Sequence, residues 1–153
     1  MVAWRQIEQD EPQFAARVRE RFDAGTNKTI ATLRRDGAPR ISGSELQFAD
    51  GEATLGMMSG SMKLLDVRRD PRIAVHSPTL EPPHEDPSAW PGDAKLAGTV
   101  VEAGTVAGPG GDAGASFKID ITEVALTSVG NPADHIVIES WHPGRGLERR
   151  TRR

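Results

Sequence analysis

The sequence predicts a mainly β protein with minor α content, folded as a small antiparallel barrel of six to seven strands. Short β-rich runs recur along the chain, Asp-Gly pairs separate the early runs, and helical patterns are confined to two short segments. The 153 residues are enough for one domain with its own core and too few for two comfortable ones. We therefore treat residues 1–153 as a single domain.

The first predicted element is an N-terminal helix after Asp10, which we expect to cap it. Pro12 falls in the first turn, where its missing N–H removes no hydrogen bond. Apolar side chains then recur at four-residue steps, at Phe14, Val18 and Phe22. This spacing places the three side chains on one face of a helix.

A meander of three antiparallel strands is predicted within residues 29–58. Two Asp-Gly pairs, Asp36-Gly37 and Asp50-Gly51, separate the three β-rich runs. Asp-Gly favours a tight hairpin turn because both residues tolerate a positive φ angle. We therefore expect each strand to lie antiparallel to the one before it.

A short helix is predicted after the meander, with Ser61 as its cap and Met62 as its first residue. Pro71 limits this helix, because the residue before a proline is biased out of the α conformation and Asp70 occupies that position. A strand over residues 72–77 follows.

The second half of the chain alternates strands with irregular segments. Residues 78–93 contain five prolines and little periodicity, which predicts a long surface loop. Two strands are predicted over residues 95–106 and 116–130, with a flexible glycine-rich turn at 108–114 between them. A last strand covers residues 135–141 and is broken by a Pro-Gly turn.

Composition excludes several classes of function. The formal net charge of −3 provides no large basic field for non-specific nucleic-acid binding. The chain has no cysteine, which excludes disulfides, thiolate catalysis and cysteine-ligated metal centres. The N-terminus lacks the apolar core of a signal peptide, and no stretch approaches the roughly 18 apolar residues of a membrane span. We expect a cytoplasmic protein with neither a membrane nor a nucleic-acid partner.

Two other charged segments have more than one interpretation. The C-terminus forms either a local anion site or a solvated tail, with arginines at Arg145, Arg149, Arg150, Arg152 and Arg153. His84 stands beside Glu85 and Asp86 in the proline-rich loop. Because no rigid element there would set the geometry of the ligands, no metal site is predicted.

Lys63 lies in the first turn of the short predicted helix, where the helix dipole disfavours a cation by about 0.3–1 kcal/mol. A bound anion would reverse that effect. Free backbone N–H groups, the Ser61 hydroxyl and the Lys63 ammonium would together hold a phosphate. The alternative is that Ser61 only caps the helix and Lys63 lies in water. Ser-x-Lys also occurs in hydrolases, but no supporting catalytic constellation is present.

The middle strand of the meander carries a second candidate surface. Strand alternation places Arg40, Ser42 and Ser44 on one face with Leu46 and Phe48. That face is polar at one end and apolar at the other, which suits a ligand with a charged tail and a flat ring. The alternative is a surface arginine beside two strand serines.

Met57 and Met58 end the third strand of the meander, just before Ser59. Methionine packs against planar rings, and it also serves as flexible core filler. Trp141 likewise has two interpretations, contact with a ligand or packing inside the barrel. These residues are candidates for a binding site, and no residue is assigned as a catalytic acid or base.

Taken together, these segments resemble the pyridoxamine 5'-phosphate oxidase-like family, the flavin-binding split β-barrels. The shared motifs, in chain order, are ATLR-x-DG, PR-x-S, S-x-K, RRDPR and W-x-PG. The similarity covers residues 10–150 and is weakest in the 78–93 loop and at 104–116. Each motif is short, and the specificity lies in their common order.

The resemblance implies a homodimeric split barrel that binds FMN, or the related deazaflavin F420, at the subunit interface. The implied cofactor-binding residues are Arg40, Ser42, Met57, Met58, Ser59, Ser61, Lys63 and Trp141. Of these, Ser61 and Lys63 would hold the phosphate, and Trp141 would approach from the second subunit. The redox chemistry would reside in the cofactor ring.

Two departures from the family pattern bear on function. Met62 stands where many flavin-binding members carry arginine, so one charge partner of the phosphate is missing. The chain also lacks the arginine–histidine pattern that follows the tryptophan turn in true pyridoxamine phosphate oxidases, which argues against that activity. The leading hypothesis is an FMN-dependent oxidoreductase acting on a small organic substrate. The alternatives are an F420-dependent reductase and a non-enzymatic flavin- or haem-binding protein.

Overall fold

The computed structural model describes residues 1–111 and 113–153. Its helices are α1 (Trp4–Asp10), α2 (Pro12–Phe22) and α3 (Met62–Arg69). Its strands are β1 (Asn27–Leu33), β2 (Pro39–Ala49), β3 (Glu52–Met57), β4 (Arg72–His76), β5 (Asp93–Ala107), β6 (Ala113–Val129), β7 (Ile136–His142) and β8 (Gly146–Arg152).

Six of the strands close an antiparallel barrel. They follow the spatial order β3-β2-β1-β4-β5-β6, and pairing between β3 and β6 closes the ring. Strands β7 and β8 continue the sheet from β6, outside the closed ring. The predicted fold class, mainly β with minor α, is confirmed, and the described strands number eight where six to seven were expected.

Both predicted Asp-Gly turns are present. The loop between β1 and β2 contains Gly37 with a φ of 85°. Between β2 and β3, Asp50 and Gly51 have φ values of 54° and 75°. Two consecutive positive φ angles are typical of a type I′ hairpin turn, which matches the right-handed twist of the strands it joins.

The N-terminal segment differs in part from the prediction. Helix α2 begins at Pro12 as expected, but Asp10 does not cap it, because Asp10 is the last residue of α1 and Glu11 stands between the two helices. Helix α1 was not predicted. Its seven residues bury only Trp4 and Ile7, so they contain no repeated apolar period.

Helices α1 and α2 pack against the barrel. The Trp4 ring lies 4.6 Å from the Phe48 ring of β2, and Phe22 lies 5.8 Å from the same ring. Arg17 of α2 forms an ion pair of 2.9 Å with Glu139 of β7, whose side chain is nearly buried. The helices are therefore joined both to the barrel and to the sheet extension.

The middle of the chain follows the prediction closely. Ser61 is the N-cap of α3, and Asp70 before Pro71 has extended backbone angles that end the helix. Apart from a short 3-10 turn at Pro87–Ala89, the 78–92 segment has no regular structure. The predicted turn at 108–114 includes Asp112, which lies outside the described residues.

The C-terminal arginines belong to a strand. Residues 146–152 pair with β7 over its whole length, and most of their side chains are exposed. The strand was missed because arginine-rich composition carries no period-2 apolar pattern. No helix in the described part of the chain is long and apolar enough to span a membrane.

Candidate functional site

The barrel splits along β2. Residues 39–45 of β2 pair with β1, whereas residues 46–49 pair with β3. The other edge of residues 39–45 has no strand partner in the portion of the chain described. Exposed backbone groups on such an edge need other hydrogen-bond partners. Helix α3, which follows β3 after a turn at Gly60 with a φ of 78°, supplies side chains to this edge.

Lys63 supplies one of these partners. Its Nζ donates a hydrogen bond of 2.7 Å to the carbonyl oxygen of Gly43 on the open edge of β2. The side chain is partly buried, and this loss of solvent lowers the pKa of the ammonium. The Lys63 side chain is therefore hydrogen-bonded to the barrel as well as partly exposed to solvent. Two of the three N–H groups of its ammonium remain available for another acceptor.

The first turn of α3 offers further donors beside Lys63. The Ser61 Oγ accepts the Leu64 N–H at 3.4 Å, which is a long capping bond. The N–H groups of Met62 and Lys63 have no acceptor among the described residues. Because these N–H groups lie at the positive end of the helix dipole, the turn presents a small set of anion-binding donors.

A cleft of about 470 Å³ opens next to this turn. We call it the lysine cleft, and its walls include Gly43, Ser44, Met58, Lys63, Val106 and Ser116. Its volume is within the range of small-molecule sites. The cleft thus combines the partly desolvated Lys63 cation and the Glu45 carboxylate with apolar, hydroxyl-bearing and amide groups.

Asp66 of α3 accepts hydrogen bonds from three side chains. Its side chain is 2% exposed, and its carboxylate accepts hydrogen bonds from Arg40 Nε and Thr32 Oγ1, each at 2.7 Å. Arg69 Nη2 donates to the second carboxylate oxygen at 3.1 Å, and also to the carbonyl of Leu33 at 2.7 Å. One buried carboxylate therefore joins α3 to β1 and β2.

The pKa of the Asp66 carboxyl reflects two opposed effects. Burial alone would raise the pKa, since it disfavours the charged form. The hydrogen bonds from Arg40, Thr32 and Arg69 outweigh that effect and hold the pKa below its ordinary value. The carboxylate is therefore ionised at neutral pH.

The fold of the chain is shared with several solved structures, although no family model and no curated protein matches it. An FMN-binding protein related to pyridoxamine 5'-phosphate oxidase, from Nostoc punctiforme, has a TM-score of 0.65 and 8% identity, covering 94% of this chain and 96% of its own. PhzG from Burkholderia lata, in complex with tetrahydrophenazine-1-carboxylic acid, has a TM-score of 0.61 and 10% identity. The match covers 93% of this chain and 87% of PhzG. This chain has the split-barrel fold of pyridoxamine 5'-phosphate oxidase-like proteins. An F420 reductase has a TM-score of 0.51 and 13% identity, covering 67% of the split barrel described here and 91% of its own chain.

The split barrel separates residues that the resemblance had grouped in one site. Lys63 lines the lysine cleft, whereas Arg40 lies beside Asp66 in a different cleft, together with Met62. Ser42 is half-buried on the same face of β2 as Arg40 and lines neither of these two clefts. The predicted alternation of β2 is present, with its even-numbered residues directed inward.

Met57 and Met58 also lie in different environments. Met57 is 1% exposed and belongs to the hydrophobic core, whereas Met58 is 60% exposed and lines the lysine cleft. Ser59 is exposed in the turn that leads to α3. Only the second methionine therefore has a side chain placed to contact a ligand from this chain's own cleft.

Trp141 is 2% exposed and packs within the core of the split barrel. Its Nε1 is buried and has no hydrogen-bond partner among the described atoms. A buried indole N–H usually finds a partner, so this group is an exception. The contact between Trp141 and a cofactor held by a second subunit stays a prediction.

Sequence reasoning missed the residues that hold α3 in place. Asp66 carries no distinctive motif, and its importance depends on Thr32 and Arg40, which are distant in sequence. Gly43 was also overlooked, because its contribution is a backbone carbonyl. The RRDPR motif was a partial signal: Arg69 pairs with Asp66, while the exposed Arg72 pairs with Asp70.

Across residues 1–111 and 113–153, no group of three or more histidine or acidic side chains is arranged to hold a metal ion. His84 and its acidic neighbours Glu85 and Asp86 lie exposed in the loop before the 3-10 turn.

Proposed function

We propose that this split barrel binds FMN with its phosphate at the first turn of α3, and that it is an FMN-dependent oxidoreductase for a small organic substrate. The observation that carries the proposal is the Lys63 ammonium, which loses solvent on one wall of a 470 Å³ cleft. An anion beside it would restore the stability that desolvation removes from the charged form. The shared fold with an FMN-binding protein supports the same conclusion.

The donors of this turn fit a phosphate. Lys63 Nζ is anchored by the Gly43 carbonyl and retains two N–H groups. The Ser61 hydroxyl accepts from Leu64 and can donate its own proton outward. With the N–H groups of Met62 and Lys63, these donors match the charge and the several oxygens of a phosphate monoester. Met62 offers no side-chain donor, and Lys63 is the only cationic side chain among the described residues that line the cleft.

The flavin ring, when bound, would accept or donate the hydride. The chain's own residues would bind and orient it. Met58 is exposed at the cleft and offers a polarizable thioether to a planar ring. Val106 and Ser116 of the long β5–β6 hairpin also line the cleft. No side chain of the cleft is assigned to proton transfer, since hydride chemistry in a flavin site requires none from the protein.

We further propose that the protein is a homodimer that associates through the outer face of the barrel. Ile41 on β2 is 74% exposed there, beside a shallow apolar depression formed with small residues of the neighbouring strands. These neighbours include Ala31, Ala74 and Ala97. An exposed isoleucine over a flat alanine surface suits association with a second copy, because side chains there obstruct close approach very little.

The cofactor assignment is tested by titrating the purified protein with FMN and, separately, with F420, following the fluorescence of each. We expect saturable quenching of FMN at micromolar concentration. Binding of F420 alone would contradict the FMN assignment and would indicate a deazaflavin-dependent reductase. Failure of both at tens of micromolar would contradict the proposal and favour a barrel adapted to another ligand such as haem.

The dimer is tested by the Ile41→Arg variant in sedimentation experiments. We expect the wild-type protein to sediment as a dimer and the variant as a monomer, because a charge buried at an interface without a partner is costly. Val101→Arg is the matched control, since Val101 is also an exposed apolar residue on a strand, at 46% exposure. A monomeric wild type, or equal effects of both variants, would argue against this interface.

A further inference from the structure

A second cleft, larger than the lysine cleft, is lined by other residues of α3. Its volume is about 730 Å³, and it runs between α3 and the loop that joins β1 to β2. We call it the arginine cleft, and its defining residues are Arg34, Arg35, Arg40, Met62, Leu65 and Arg69. None of these residues lines the lysine cleft.

The arginine cleft is strongly cationic although the protein as a whole is acidic. Five arginines and two aspartates line it, which gives a formal charge of +3, whereas the whole chain has a net charge of −3. Arg68 also lines the cleft, and its charge is neutralised by a bidentate hydrogen bond to Glu102, which does not line the cleft. The remaining excess positive charge therefore comes from the other four arginines.

These four arginines differ in whether they form ion pairs with other residues of the fold. Arg40 and Arg69 share the single carboxylate of Asp66, so the three groups together retain one positive charge. Arg34 and Arg35 are exposed and form no ion pair with any described residue. The two aspartates of the cleft do not balance its arginines, and a bound anion would offset the remaining like-charge repulsion.

Two apolar side chains of α3 line the cleft. Met62 is 53% exposed and Leu65 is 52% exposed, and their spacing of three residues places them on one face of α3. The side chain of Met62 therefore contributes to this cleft, whereas its backbone N–H is one of the donors proposed for the cofactor phosphate. Apolar side chains bordered by arginines suit a ligand that has both a charged group and an apolar body.

We propose that the arginine cleft is a binding site for a small organic anion, one that carries a phosphate or several carboxylates on an apolar body. The arginines of the β1–β2 loop would bind the charged group, and Met62 and Leu65 would contact the apolar body. The cleft volume is within the range of small-molecule sites. The site is distinct from the lysine cleft, because the two clefts share no lining residue, and only the backbone N–H of Met62 belongs to the donors proposed for the cofactor phosphate.

The test is isothermal titration of the full-length protein with 2-naphthyl phosphate and with inorganic phosphate. We expect 2-naphthyl phosphate to bind more tightly than inorganic phosphate and less tightly at high salt. Changing Arg34 and Arg35 together to glutamine should weaken 2-naphthyl phosphate binding roughly fivefold to tenfold. Leu65→Asn should weaken the naphthyl compound and leave inorganic phosphate unchanged.

Two controls locate the bound anion. Changing Arg149 and Arg153 to glutamine removes the same charge from exposed positions on β8 and beyond, and should leave the affinity unchanged. With the lysine cleft filled by saturating FMN, 2-naphthyl phosphate should still bind, and the double change of Arg34 and Arg35 should still weaken it. Loss of all 2-naphthyl phosphate binding in the presence of FMN would place the anion in the lysine cleft and overturn the proposal. Equal losses in both double-arginine variants would mean that only net charge attracts the anion, which would also overturn it.

Discussion

Lys63→Ala should reduce the affinity of the protein for FMN by roughly tenfold to a hundredfold. The estimate follows from the worth of a charge-assisted hydrogen bond, about 1.5–3 kcal/mol, at about 1.4 kcal/mol per factor of ten. Lys63 Nζ is already oriented by the Gly43 carbonyl, so little side-chain freedom is lost when it binds an anion. The measurement is a fluorescence titration of each variant with FMN.

Riboflavin, which has the same ring and no phosphate, distinguishes a phosphate contact from damage to the cleft. If Lys63 binds the phosphate, Lys63→Ala should leave riboflavin affinity almost unchanged. Lys118→Ala is the matched control, because Lys118 is an exposed lysine on β6 that does not line the lysine cleft. Equal loss of FMN and riboflavin affinity would contradict the phosphate contact and assign Lys63 a purely structural role.

Asp66→Asn should lower the free energy of unfolding by about 3 kcal/mol, near the lower end of the range for breaking a buried ion pair. The substitution keeps the shape of the side chain and removes its charge. Arg40 and Arg69 would then be left partly buried without their shared counterion. Urea unfolding at neutral pH measures the effect, and an unchanged midpoint would contradict the role given to Asp66.

The same carboxylate predicts how stability responds to acid. Because folding lowers the pKa of Asp66, its contribution is fully present above the unfolded value of about 4 and is lost as the pH falls through the lower folded value. The Asp66→Asn variant should therefore lose less stability than wild type between about pH 5 and pH 2. Asp70→Asn is the control. The pKa of Asp70 is also lowered, to about 2, through Arg72, but this exposed pair should matter little to stability at neutral pH.

Local elements of the fold were predictable because their causes are local. The Asp50-Gly51 turn depends on two residues that tolerate positive φ, and both have positive φ angles in the structure. The limits of α3 depend on a serine cap and on the residue before Pro71, and both are confirmed. In each case the residues that determine the conformation lie within a few positions of it.

The elements that were missed lack a local signal. Helix α1 depends on Trp4, whose ring packs against Phe48 of a distant strand. Strand β8 consists largely of arginines and is defined by its pairing with β7. Barrel closure likewise depends on pairing between β3 and β6, about sixty residues apart along the chain. Such pairings are favoured by long-range packing, which composition and periodicity do not encode.

By itself the sequence determined the fold class, the turn residues, the limits of α3 and the position of Lys63 in its first turn. Only the tertiary structure decided how the candidate residues are grouped. The tertiary structure places Lys63 against the open edge of β2 and Arg40 beside Asp66 in another cleft. The physical reason is that a buried carboxylate must be paired, and its partners are determined by distance in space rather than along the chain.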